Sequence, residues 1–234
     1  MNEFTPYLEI LPGPQRQLYP NLAWSREEGF VLYEGTAVAL YAGHRESKDF
    51  AFFSEKSLDK RHIENELLRR GLHYSILQEE PNTLSLKVMD NKVQLSFWGT
   101  IGYGRVDTPM RTDDGVLEVA SPLDLMATKL KVILDRIEAK DYKDIATLSN
   151  IGVPLEQGLA AAKIFYPGFP EMECLRSMMW FEGGDLDSLD EPTMNTLRQL
   201  ADNVHNIPPI TLQSNYLHDD SNDLRLQRRS TSMG

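Results

Sequence analysis

One cysteine, Cys174, stands in 234 residues. A single thiol excludes an internal disulfide framework and fits a reducing compartment. With no histidine partner recognisable beside it, it reads as a packing residue rather than a nucleophile. The five histidines, His44, His62, His73, His205 and His218, are scattered and show no metal-ligand spacing. No apolar run approaches the length needed to cross a bilayer, and the opening residues lack a basic stretch leading into an apolar one, so neither a membrane span nor a secretory signal is expected. Basic residues are also in short supply: 24 against 35 acidic ones, a net charge of −11, which excludes a broad basic surface for nucleic acid and leaves only local patches. There is no Gly-x-Gly-x-x-Gly, no Walker loop, no Cys-x-x-Cys and no defensible Ser-His-Asp set. These absences leave a cytoplasmic protein whose chemistry must come from some other arrangement.

With 41% hydrophobic residues the chain can bury a core as one large domain or two small ones sharing a cleft. Residues 1–20 carry four prolines and read as an irregular lead-in. Strands are expected up to Tyr33 and over Asp49–Ser54, Tyr74–Leu77, Thr83–Met89 and Val93–Trp98, with Asp90-Asn91 as a hairpin turn. Helices are expected over Thr36–Tyr41, ended by Gly43, and Ser57–Arg70, ended by Gly71. Ser121-Pro122-Leu123-Asp124 is a helix start, with Ser as N-cap and Pro at the first helical position. Two helices should run from there to Leu148, broken near Glu138–Lys140, followed by Leu155–Phe165, Glu171–Trp180 and Pro192–Val204. The pattern predicts an α/β lobe with a mixed sheet over 1–115, a helical lobe over 116–205 and a flexible tail over 206–234.

The densest chemistry lies between Phe30 and Ser54. A strand, a Gly-Thr turn and a helix N-terminus make an anion site, because backbone N–H groups converge there and the helix dipole favours negative charge. Gly35 avoids a Cβ beneath a phosphate and the Thr36 hydroxyl could donate to it; the same residues also suit an ordinary strand-to-helix turn. Asp49 heads a Phe-rich strand and is the best candidate for a metal ligand, since an unpaired buried carboxylate is costly. A salt bridge to Arg45 or Lys48 would also explain it. Lys129 and Arg136 are seven residues apart, two helical turns, and so share a helix face that could hold phosphates or simply be solvated. Asp141 and Asp144 could fix those cations or serve as a general base. Basic residues also gather at Lys56, Lys60, Arg61, Arg69 and Arg70, interleaved with acids as on a solvated helix face.

Three runs resemble the AbiEii/AbiGii-type nucleotidyltransferase toxins of bacterial abortive-infection and toxin–antitoxin systems. They are Glu34-Gly35-Thr36-Ala37-Val38-Ala39-Leu40, Gly43-His44-Arg45-Glu46-Ser47 and Asp49-Phe50-Ala51-Phe52-Phe53. A second block, Ser121 to Leu130 with Arg136 and Lys140-Asp141-Tyr142-Lys143-Asp144-Ile145, is similar to the same family, as are Val93–Phe97 and Met179–Glu182. Two positions depart from the pattern: Ala51 stands where the family has its second Asp, and Glu34 where it has Gly.

The resemblance implies an α/β nucleotidyltransferase-like core with a mixed sheet, followed by a helical lobe. It implies transfer of a nucleotidyl group from an NTP to an acceptor, which in relatives can be tRNA, by the toxin of a toxin–antitoxin or phage-defence system. Asp49, Lys129 and Asp144 would be catalytic; Gly35, Thr36, Lys129 and Arg136 would bind nucleotide. Mg2+ or Mn2+ would sit on Asp49, with Glu34 as the candidate second ligand. A cognate antitoxin protein and tRNA, held through a local basic patch, are the implied partners. Ala51 and Glu34 keep an alternative open: a catalytically degenerate member acting as a nucleotide- or protein-binding module.

Overall fold

The computed structural model of the chain describes residues 2–219. Its strands are β1 (Glu3–Phe4), β2 (Val31–Tyr33), β3 (Asp49–Phe53), β4 (Tyr74–Glu80), β5 (Thr83–Val88), β6 (Val93–Trp98), β7 (Met110–Thr112) and β8 (Glu118–Val119). Among the described residues they form one mixed sheet in the order β1-β7-β8-β2-β3-β6-β5-β4. β3 pairs parallel with β6, β2 parallel with β8 and β1 parallel with β7; the remaining neighbours are antiparallel.

The helices are α1 (Gly13–Leu18), α2 (Ala23–Glu27), α3 (Glu34–Ala42), α4 (Lys60–Arg69), α5 (Pro122–Asp135), α6 (Ala139–Asn150), α7 (Leu155–Phe165), α8 (Glu171–Met179) and α9 (Glu191–Asp202). The lead-in that the prolines suggested is mostly short helix, and Ser25 lies in α2 rather than on the way into a strand. β8 carries the sheet past residue 115, the boundary drawn from sequence.

Period-2 alternation explains how the centre of the sheet serves two purposes. Phe50 and Phe52 of β3 and Val93, Leu95 and Phe97 of β6 are fully buried in the core. Asp49, Ala51 and Phe53, with Gln94, Ser96 and Trp98 beside them in register, share the opposite face and line a cleft. α3 leaves the sheet directly after β2 and packs on both α5 and α6, so it joins strand and helix layers at that cleft.

α5 begins as its sequence dictates: the Ser121 hydroxyl accepts from the Asp124 backbone N–H at 3.0 Å, with Pro122 at the first helical position. α7 packs closely on α5 because Gly158 has no Cβ; one placed there would lie 2.3 Å from Met126 Cγ. Among the described residues no helix is long and apolar enough to cross a membrane.

The tail expected from residue 206 onward is held as far as it is described. Arg105 N–H donates to the Ser214 carbonyl at 2.9 Å and the Gln213 N–H donates to the Arg105 carbonyl at 2.9 Å. Leu217 is buried, its N–H on Glu55 Oε2 at 3.2 Å, and the Asp219 N–H reaches Glu118 Oε1 at 2.5 Å. Backbone pairing and one apolar anchor bind a segment whose composition is polar. The rest of that expected tail, 220–234, lies outside the described residues.

Candidate functional site

The first N–H groups of α3 have no partner within the helix, and the side chain of its N-cap residue, Tyr33, does not cap them. They open onto a cleft of about 730 Å³ that is also lined by Asp49 and, from the helical side, by Lys129, Arg136 and Lys140. Gly35, Thr36, Asp49, Glu34, Lys129 and Arg136 therefore share one cavity. Asp144 lies behind it, reached through Lys129.

The backbone at the lip is strained. Glu34, the first residue of α3, has φ +62°, a region that favours glycine. That conformation accounts for a glycine at this place in the family pattern. Next to it, a Cβ on Gly35 would stand 2.3 Å from Arg45 Nη2, so the glycine lets the guanidinium pass beneath the turn. The Thr36 hydroxyl meets Ser47 Oγ at 2.6 Å and donates to the Asp49 carbonyl. Its proton is thus engaged in holding β3 to α3, and Thr36 contributes its backbone N–H to the cleft.

Two buried aspartates organise the cations. Asp144 accepts both ends of the Arg45 fork, Nε at 2.7 Å and Nη2 at 2.8 Å, together with His44 Nε2 at 2.8 Å; Lys129 Nζ stands 3.0 Å from it. Burial alone would raise the Asp144 carboxyl, but Lys129, His44 and Arg45 outweigh it and hold it well below the usual range. A carboxylate so enclosed orients cations rather than facing an incoming hydroxyl.

Asp141 receives Lys129 Nζ at 2.7 Å and Arg136 Nε at 2.8 Å. Burial pushes Asp141 up, and Arg136 and Lys129 pull it below its ordinary value. Arg136 is not on the helix face with Lys129 as the spacing suggested: α5 stops at Asp135 and Arg136 has extended backbone. The two cations converge because both grip Asp141.

Lys129 is 1% exposed, and burial would lower its ammonium; Asp144, Glu34 and Asp141 reverse this and raise it. Glu34 Oε2 completes the ring at 3.3 Å. Three carboxylates around a group with three N–H donors leave it none to spare. Arg136, with its side chain 41% exposed, is the more accessible cation.

On the sheet floor the donors for a metal ion are few. Asp49 is exposed at the head of β3 and pairs in register with Gln94, while Arg45 is engaged by Asp144 instead. Ala51 offers no oxygen. Ser96, beside it, accepts from Ser85 Oγ at 3.0 Å and Gln94 Nε2 at 3.2 Å, which engages both its lone pairs. Among the described residues no group of three His, Cys, Asp or Glu could hold a metal. These donors fit one divalent cation shared with a ligand's phosphates and do not fit a pair held by protein.

From the sequence, His44 shows no ligand spacing and Arg45 is offered as a partner for Asp49. The structure puts both on Asp144. Their position in a polar run between two well-defined elements is the signal that could have found them, because such a run must spend its charge somewhere. Comparison with known families gives a match to the model described as "Nucleotidyl transferase AbiEii toxin, Type IV TA system" over residues 24–199. A comparison with curated proteins gave no match.

Proposed function

Because the chain belongs to the AbiEii family of nucleotidyl transferase toxins, we propose that its cleft binds an NTP and transfers a nucleotidyl group to an acceptor, for which tRNA is the candidate. One observation carries this reading: the N-terminus of α3 and Asp49 face Lys129 and Arg136 across a single cavity. Phosphates would lie at the α3 N–H groups, where the helix dipole favours them. Arg136, oriented by Asp141, would take phosphate oxygens in a fork and stabilise charge on the departing pyrophosphate.

Asp49 would hold Mg2+ or Mn2+ jointly with the phosphates, a cation that screens their charge when bound. Asp144 would serve as a positioning residue that fixes Arg45, His44 and Lys129. Lys48 and Lys140 at the cleft mouth would supply the local basic patch for a nucleic acid acceptor, in a cytoplasmic toxin controlled by a cognate antitoxin.

The deciding experiment is incubation with labelled NTPs, Mg2+ or Mn2+ and total RNA. Label on RNA, lost in Asp49→Asn and Arg136→Ala, is the expected result. NTP binding without transfer favours a second reading, a nucleotide-binding module, on the strength of Ala51 and the engaged Ser96. Absence of NTP binding overturns both.

A further inference from the structure

The cleft face of the sheet changes character along the strands. Asp49 stands beside Gln94, Ala51 beside Ser96, and Phe53 beside Trp98, in the parallel register of β3 and β6. Charge at one end gives way to small hydroxyl chemistry and then to two aromatic rings. Four residues of strand, roughly 13 Å, separate Asp49 from Phe53. The phosphate end is fixed by α3, whose Thr36 hydroxyl is bonded to the backbone of Asp49.

The rings at the other end lie at the margin of the core rather than inside it, with Phe53 packing against it from the cleft side. Their neighbours in sequence, Phe52 and Phe97, fill the interior and are fully buried, whereas Phe53 and Trp98 remain partly exposed on the cavity wall. They are nevertheless held in place. Tyr33 stacks on Phe53 with centroids 4.8 Å apart and planes 13° apart, and Phe53 meets Trp98 at 5.2 Å and 73°. A partly wet, orientationally fixed indole in a polar cleft is a stacking platform. Between the two ends, Ser96 has both lone pairs engaged, so its hydroxyl proton is the part left to offer a ligand.

We infer that a nucleotide lies along β3 with its phosphates at the Asp49 end and its base stacked on Trp98, and that Ser96 donates to the ribose or base between them. This rests on the nucleotide-binding reading above and adds the ligand's direction and the residue that senses its base. Stacking accepts any base, so Trp98 contributes affinity for a nucleoside triphosphate over a bare polyphosphate, with modest preference among bases.

The test compares the four NTPs with inorganic tripolyphosphate, all with Mg2+, by calorimetry and by tryptophan emission. The unaltered protein should bind NTPs about tenfold or more tighter than tripolyphosphate, for a stack of at least 1.4 kcal/mol. Trp98→Ala should bring NTP affinity down to that of tripolyphosphate and leave tripolyphosphate unchanged. Nucleotide should quench emission in Trp180→Phe and fail to do so in Trp98→Phe, a variant that keeps an aromatic ring should the alanine not fold. Equal NTP affinity in Trp98→Ala and the unaltered protein, or quenching retained in Trp98→Phe, places the base elsewhere and overturns the inference. Loss of tripolyphosphate binding along with NTP binding in a folded Trp98→Ala overturns it too. Should tripolyphosphate bind and NTPs bind no better, the base platform fails while the phosphate site stands; should neither bind, the functional reading fails as well.

Discussion

Replacing Glu34 with glycine acts on two quantities at once, and their sizes differ enough to be separated. At φ +62° a side chain costs about 1–2 kcal/mol that glycine does not incur. Against this, glycine restores roughly 0.4–1 kcal/mol of freedom to the unfolded chain. It also removes an ion pair to Lys129 whose glutamate side chain is 29% exposed and screened, and such pairs contribute about 0–1 kcal/mol. Folding stability should therefore stay within about 1 kcal/mol of its starting value.

Ligand affinity should move further. A carboxylate about 5 Å from a phosphate charge at an effective dielectric near 20 opposes it by roughly 3 kcal/mol, and about half of that survives if the side chain can swing to solvent. Glu34→Gly also returns one N–H of Lys129 to the cleft. Tripolyphosphate and NTP should bind about tenfold tighter by calorimetry, with a nearly unchanged urea midpoint. Glu34→Gln keeps the backbone strain and removes the charge, so it should reproduce the affinity gain. A loss of affinity seen only with Mg2+ present would refute the reasoning and make Glu34 a metal ligand; an unchanged affinity would show that it does not reach the phosphates.

Gly35→Ala should drive Arg45 off Asp144, since the new Cβ would lie 2.3 Å from Nη2, and cost roughly 2 kcal/mol in chemical denaturation; wild-type stability would show that the turn relaxes freely. Burial raises Asp124 to about 7, with Asp107 adding to it against the hydrogen bond from the Val106 N–H, so its protonated form is the one the fold prefers. Its contribution is full below the unfolded value near 4 and is lost as pH rises through about 7. Asp124→Asn, which keeps an acceptor for the Val106 N–H at 3.1 Å, should flatten stability across that window; an unaltered slope would refute the assignment. Asp144 has the opposite sign: held low by its cations, it contributes above about pH 4 and is lost in stronger acid, so Asp144→Asn should weaken the acid dependence of denaturation below that pH.

Elements with local signals were legible in the sequence. The start of α5 is written in Ser121-Pro122, Leu155–Phe165 occurs as α7 with the expected bounds, and Met89, Asp90 and Asn91 all take positive φ in the expected hairpin turn. β1, β7 and β8 were missed because two or three residues carry no periodicity and their partners are distant in the chain. At the site, the family pattern pointed to residues that line the cleft, whereas the spacing of Lys129 and Arg136 suggested a shared helix face that the end of α5 at Asp135 denies them. Pattern and spacing could not show that Asp141 and Asp144 lie beneath the cleft as anchors, because burial is a property of the assembled packing. Nor could they show why Glu34 departs from a glycine pattern at a cost, since φ is not written in one residue's identity.

The segment stitched to Arg105, Glu55 and Glu118 also has a consequence for timing. Those three residues belong to the part of the chain made first, and the backbone groups that complete them come from residues 213–219. On a ribosome these contacts would wait until that stretch has left the exit tunnel, although the strands of the sheet need none of it. Contacts of such sequence separation are slow to form. The closing contacts of this fold, 101 residues apart for Glu118 and Asp219 and 162 for Glu55 and Leu217, are therefore among the last to form.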